Sequence, residues 1–147
     1  MAVTHTLTII KPDAFGAGKS GQIVAHLEQA GFRVVAARVA RLTTEQAEGF
    51  YEVHKERPFF RSLVAFMSSG PCMPLVLERA DAVAELRRVI GATDPAEAAD
   101  GTVRRLYAES KERNAIHASD SDENAKRESG FFFAEMELIA NRQVNER

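Results

Sequence analysis

The 147 residues hold no tryptophan, two tyrosines and one cysteine, Cys72. A single cysteine excludes an internal disulfide and fits a reducing compartment. No apolar run approaches the ~18 residues a membrane-spanning helix needs, and Met1 to Thr6 offer no basic leader region. An excess of one charge sign is also missing: 19 Lys and Arg stand against 21 Asp and Glu, a formal net charge of −2. The chain therefore has no global basic field to hold nucleic acid, and any anion site must be built locally. These absences point to a soluble, cytoplasmic protein that requires neither nucleic acid nor a membrane. A hydrophobic share of 45% with 27% charged residues is ordinary for a globular protein. The length suits one domain over 1–147, with a real core and no need of a structural metal.

Thr6 to Ile10 alternates and is β-branched, so it reads as a first strand, ended by Lys11 and Pro12. Helical patterning follows over Gln22 to Gln29, and the apolar run from Phe32 to Arg41 reads as a strand. Thr43 or Thr44 caps a helix to Glu52, with Glu45 or Gln46 near the position a capping box requires. After a charged turn, Pro58 sits where proline favours a helix start, and a helix runs from Phe59 to Ser68. Met73 to Leu77 is a short buried strand, and Asp81 to Ile90 a capped helix closing at Gly91. Gly91 to Arg104 is the longest irregular stretch, of a kind that is usually functional or disordered. A short helix over Val103 to Ala108 leads to a strand at His117, a helix from Asp120 to Arg127 and a final strand opening at Phe131 to Phe133. Residues 141–147 form a polar, exposed tail. This order predicts an α+β sheet with helices packed on it.

Two phosphate-binding patterns occur by letter only. Gly16-Ala-Gly-Lys-Ser-Gly21 matches the dinucleotide fingerprint G-x-G-x-x-G, but Phe32 to Arg41 contains no carboxylate to bind the ribose. Gly18-Lys19-Ser20 imitates the end of a P-loop, yet Asp13 occupies the place of its first glycine. A glycine turn at a helix start accounts better for both.

Asn114-Ala-Ile-His-Ala-Ser-Asp-Ser121 carries more chemistry. Its serines and Asp120 read as a helix start, so His117 lies where a short strand meets a helix N-terminus, a place that favours anions. A histidine facing phosphate can take a phosphoryl group onto a ring nitrogen and split one transfer into two. Taken alone, a histidine is more often a structural or surface residue. Lys11 at a strand end, Arg87 late in a helix, and Thr93 and Arg104 flanking the irregular loop could supply the cations and donors such a transfer needs.

Lys11-Pro12-Asp13, His54 to Phe60, Ser69-Gly70-Pro71, Gly91 to Pro95, Gly101 to Arg104 and Asn114 to Ser121 together resemble the nucleoside diphosphate kinase family, bacterial type. The six segments keep that family's order and spacing from about Thr6 to Glu137. The resemblance implies a ferredoxin-like βαββαβ sandwich: an antiparallel four-stranded sheet with helices and an inserted loop. It implies a ping-pong transfer of the γ-phosphate from a nucleoside triphosphate to a nucleoside diphosphate through phosphohistidine on His117. Lys11, Arg87, Thr93 and Arg104 would hold phosphates, Asn114 and Lys11 the sugar, and Phe59 would stack on the base. Tyr51, Ser119 and Glu128 would support the histidine. Magnesium (Mg2+) would arrive on the nucleotide without a metal site of the protein's own, and the chain would be a homo-oligomer, hexamer or tetramer.

Three departures qualify the resemblance. Ala118 stands where the family usually has glycine, which is mild if φ is negative there and strained if it is positive. Asp100 replaces a frequent proline, and Lys111 a frequent apolar residue. A catalytically weak or inactive nucleotide-binding relative is the alternative reading. An RNA-binding sheet is a third, opposed by the net charge and by the lack of flanking basic and glycine residues around Phe131 to Phe133.

Overall fold

A computed structural model describes residues 3–141. Its elements in chain order are β1 (Val3–Ile10), α1 (Pro12–Gly16), α2 (Ser20–Gln29), β2 (Arg33–Ala37), α3 (Thr44–Phe50), a 3-10 turn (Glu52–His54), α4 (Phe60–Met67), β3 (Met73–Ala80), α5 (Ala82–Ile90), α6 (Val103–Tyr107), β4 (Ile116–Ala118), α7 (Asp122–Phe132) and α8 (Glu135–Asn141). The strands form one sheet in the order β2-β3-β1-β4, and every pairing is antiparallel. This is the ferredoxin-like α+β arrangement, with residues 91–102 as the inserted loop between α5 and α6. The antiparallel sheet also removes the dinucleotide reading of Gly16 to Gly21, which belongs to a parallel one; Gly18, with φ 76°, simply turns the chain from α1 into α2.

Alternation along the central strands divides the core between the two faces of the sheet. Leu7, Ile9 and Val76 pack with Phe50, Tyr51, Phe60, Val64, Met67 and Phe132 on one face. Ile10, Leu75, Leu77 and Ile116 pack with Ile23, Leu27, Leu86 and Ile90 on the other. Burying the fully enclosed Leu and Ile side chains contributes roughly 1.5–3 kcal/mol each before the entropy of ordering them is subtracted.

Local signals explain most boundaries. Thr43 and Gln46 form the expected capping box: the Thr43 hydroxyl accepts from Gln46 N at 3.0 Å, and the Gln46 side chain accepts from Thr43 N at 2.9 Å. Pro12 ends β1 as expected but also opens α1, a helix missed because Gly16 and Gly18 suggested only a turn. Asp81 does not cap α5 with its side chain. It adopts the left-handed conformation, φ 54°, and Thr4 Oγ1 accepts from Ala82 N at 2.9 Å instead.

The strand expected at Phe131 to Phe133 is absent; α7 runs on to Phe132. Its buried residues Ala125, Glu128, Ser129 and Phe132 follow an i, i+3, i+4, i+7 spacing. That helical stripe overrides the β preference of three consecutive phenylalanines. The expected tail lies outside the described residues except for Asn141, which ends α8.

Candidate active site

β4 is only three residues long, and its pairing with β1 sets Ile9 opposite His117. His117 therefore shares the sheet face of Ile9, while its neighbours Ile116 and Ala118 are buried in the opposite core. The ring packs edge-on against Phe50, with centroids 5.4 Å apart, and against Tyr51 at 6.0 Å. Its Nε2 lies 2.8 Å from Glu128 Oε1, the same oxygen that accepts from Ser119 Oγ at 2.7 Å. Glu128 projects from the second turn of α7, whose start is fixed by Ser121 Oγ accepting from Asn124 N at 3.0 Å. The helix start read in this stretch thus holds. Its acidic first turn, Asp122 and Glu123, leaves side-chain cations as the positive groups nearest His117.

The charges settle the tautomer. Burial pushes the Glu128 carboxyl up, but the hydrogen bonds from His117 and Ser119 more than offset it, so its pKa lies below the usual value. An ionised carboxylate only accepts, so Nε2 must carry the hydrogen. Nδ1 is then the nitrogen with the in-plane lone pair. Burial is also the main reason the His117 pKa is lowered; the cations Lys11 and Arg104 add to it, while Glu128 works the other way. A neutral imidazole, held by one nitrogen, can act as a nucleophile at the other.

Three cations gather around this ring and its strand, with the carboxylates of Asp13 facing Lys11 and of Asp120 facing Arg87. Lys11, at the end of β1, is buried and gives its Nζ to Asn114 Oδ1 at 2.9 Å. Burial first, and Arg104 second, lower its pKa to about 8. Arg104, from α6, donates to Gly91 O at 3.0 Å and to Ile116 O at 2.7 Å, while its Nε is buried without a partner. Burial and neighbouring Arg87 bring its pKa down to about 10, which still leaves it charged. Arg87, exposed near the end of α5, reaches Ala118 O at 3.4 Å. Cations that repel one another in a partly dry place are stabilised by an arriving anion.

A cleft of about 390 Å³ lined by Arg87, Gly91, Thr93, Thr102 and Arg104 opens beside them. Gly91 is needed there: its φ is 91°, and a Cβ would come within 2.6 Å of Thr102 Oγ1. Thr102 in turn caps α6 by accepting from Arg105 N, which fixes the helix that carries Arg104.

Of the ten residues singled out in the sequence, His117, Ser119, Glu128 and Tyr51 meet around the imidazole. Lys11 joins Asn114, and Arg87, Thr93 and Arg104 line the cleft. Tyr51 supports the ring by packing; its buried hydroxyl has no partner, and burial, then Glu128, holds its pKa far above the ordinary value. Phe59 is 46% exposed, linked inward by a tilted contact with His54 at 5.6 Å, which in turn stacks on Tyr51 at 6.4 Å. Phe50 was missed as a wall of the site, although its place beside Tyr51 was a usable signal. Ala118 lies in β4 opposite Thr8 and is not one of the positive-φ residues, so replacing glycine there is mild.

The family model for nucleoside diphosphate kinase matches residues 4–138. The chain belongs to the nucleoside diphosphate kinase family. It is a phosphotransferase acting on nucleotides. The nucleoside diphosphate kinase of Chlorobium luteolum is 60% identical over 135 residues, spanning 92% of this chain and 96% of that one. That of Halorhodospira halophila is 57% identical over 140 residues, or 95% and 99% of the two chains. Among solved structures, the Aquifex aeolicus kinase superposes with a TM-score of 0.90 at 47% identity, covering 92% of this chain and 99% of the other. The Halobacterium salinarum kinase, solved in complex with CDP, has the same TM-score at 36% identity, covering 98% and 95%.

Proposed function

We propose that this kinase works in two half-reactions through His117. The Nδ1 lone pair attacks the γ-phosphorus of a nucleoside triphosphate. A P–N bond forms, the P–O bond to the β-phosphate breaks, and its electron pair leaves on the diphosphate. A second nucleoside diphosphate then attacks the phosphohistidine through a terminal phosphate oxygen, and the P–N electrons return to Nδ1. The single observation that carries this is the Nε2 to Glu128 hydrogen bond, which leaves Nδ1 free to react beside Lys11 and Arg104.

Lys11, Arg87, Thr93 and Arg104 hold the phosphates, and the planar fork of the two arginines suits phosphate oxygens. Lys11 and Asn114 bind the sugar. Phe59 stacks on the base, and because stacking tolerates any base, broad nucleotide use follows. Magnesium would come with the nucleotide, carried by its phosphates, and would supply neutralisation of the charge developing on their oxygens.

We read 1–147 as one kinase domain, since both cores are built on the same sheet. We read the protein as cytoplasmic because its single cysteine suits a reducing compartment; among the described residues no helix is long and apolar enough to cross a membrane. The exposed apolar residues Val3, Val39, Met136 and Ile139 support a homo-oligomer, hexamer or tetramer.

The test is single-turnover labelling. Protein and a His117→Ala variant are mixed with γ-labelled ATP and magnesium, freed of nucleotide, and offered GDP. Acid-labile label on the parent alone, passing on to GTP, is the expected result. Measurable ATP binding with no label on the parent would leave only a nucleotide-binding scaffold.

A further inference from the structure

The residue two places before His117 has a backbone conformation that its side chain does not favour. Ala115 is fully buried and has φ 77°, one of two non-glycine residues among those described with positive φ. Ile116 N donates to Asn114 O at 2.9 Å across it, closing a three-residue γ-turn of the rare, strained hand. Such a turn persists only where its surroundings over-determine it. Both peptide groups of Ala115 are in fact held by one short segment. Lys11 N donates to Ala115 O at 2.9 Å, and Ala115 N donates to Asp13 Oδ2 at 3.0 Å. The first bond is backbone and survives most substitutions. The second depends on the Asp13 side chain, whose Oδ1 is buried without a partner. Asp13 is half-buried beside the turn and bonds that amide, while its charge also faces Lys11.

The turn matters because of what it joins. On one side Asn114 meets Lys11 Nζ; on the other, Ile116 and His117 enter the three-residue strand that fixes the ring against Glu128. Relaxing Ala115 to negative φ would rotate the chain between these two anchors. We propose that Asp13 is a positioning residue for His117: its carboxylate holds the strained turn at Ala115 and so sets where Nδ1 sits relative to the phosphate site. The proposal rests on the reading of His117 as the nucleophile.

The experiment compares Asp13→Ala, Asp13→Asn, Ala115→Gly and the double variant Asp13→Ala/Ala115→Gly with the parent. Readouts are the rate of His117 labelling at saturating Mg–ATP, the Kd for ADP and the thermal midpoint. Asp13→Ala should label on the order of 10–100-fold more slowly, as an ångström-scale misplacement of a reacting group does. Its ADP Kd should stay within about fivefold of the parent's. Asp13→Asn keeps an acceptor for the amide and should recover most of the rate. Ala115→Gly removes the penalty for positive φ, so the double variant should regain at least about fivefold over Asp13→Ala.

Three results would each overturn the proposal: Asp13→Ala labelling within twofold of the parent, Asp13→Asn as slow as Asp13→Ala, or no recovery with glycine. If Asp13→Ala does not fold alone, the double variant is judged against Ala115→Gly. It should fold and label within about fivefold of it, and failure in either respect refutes the idea. A parent that takes no label defeats the His117 reading and this inference with it; a labelled parent with an indifferent Asp13→Ala defeats this inference only.

Discussion

Two buried groups of opposite proton demand set the pH range of this site. His117 must be neutral to attack, and burial, with Lys11 and Arg104, lowers its pKa below the ordinary 6.5. Lys11 must be charged to attract phosphate, and burial brings it down to about 8. The pH profile of kcat/KM reports groups of the free enzyme. It should therefore be a bell, with an acid limb below 6.5 from His117 and an alkaline limb near 8 from Lys11. A nucleotide's negative charge favours charged Lys11, so the alkaline limb of kcat should lie higher than that of kcat/KM. Coincident alkaline limbs would remove Lys11 from phosphate attraction. Stability has a definite sign as well. A His with a depressed folded pKa leaves the unfolded chain to take the proton first, so its contribution falls as pH drops from 6.5 towards the folded value. Glu128, with a folded pKa below the usual 4.5, stabilises above that value and loses its contribution as pH falls through the folded pKa. Lys11 opposes folding at neutral pH by about 3 kcal/mol, and that opposition fades as pH rises between about 8 and 10.5.

At the level of elements, the site is held by short pieces that have little stability of their own. α6 is five residues, and β4 is three. Their positions depend on Thr102 capping α6, on Gly91 lying against Thr102, and on Arg104 bonding both Gly91 O and Ile116 O. Gly91→Ala should therefore act twice. A β-carbon at φ 91° and 2.6 Å from Thr102 Oγ1 should destabilise the fold by roughly 1–3 kcal/mol in denaturant unfolding. It should also weaken ADP binding several-fold by displacing Arg104. Loss of stability with unchanged ADP affinity would mean that Arg104 does not depend on this loop. The boundaries of these elements were partly legible. Thr43 with Gln46 and Gly91 after Ile90 are local chemical signals and gave correct ends, while the helix expected from Asp120 begins two residues later behind Ser121. Phe131 to Phe133 misled because strand preference was weighed over three residues, whereas the helical stripe that decides runs from Ala125 to Phe132.

For the whole molecule, the distribution of apolar surface makes the prediction. β2 is an edge strand, and Val39, Met136 and Ile139 are at least half exposed. An edge strand and exposed apolar side chains are often covered by another chain. Light scattering on a sizing column should give about four or six times the chain mass of 16.2 kDa. A monomer at micromolar concentration would remove the oligomer from this reading. Neither number was readable from one chain, because an interface is a match between surfaces and leaves no periodic signal within a single sequence.

What the sequence determined by itself is what depends on near neighbours. It specified an ordinary globular composition, most helices and strands through periodicity and caps, and the kinase family through six segments in order. Seven of the ten candidate residues lie in those segments, while Tyr51, Arg87 and Glu128 came with the resemblance outside them. The tertiary structure alone decided which groups touch. Lys11 and Asn114 are 103 residues apart, and Asp13 and Ala115 are 102 apart, yet each pair shares a hydrogen bond. It also decided which nitrogen of His117 is free, that Ala118 sits harmlessly in a strand, and that the strain near the histidine lies instead at Ala115. The reason is physical. Local preference acts over a few residues, whereas burial, pKa and backbone strain are set by whatever the folded chain brings within a few ångströms.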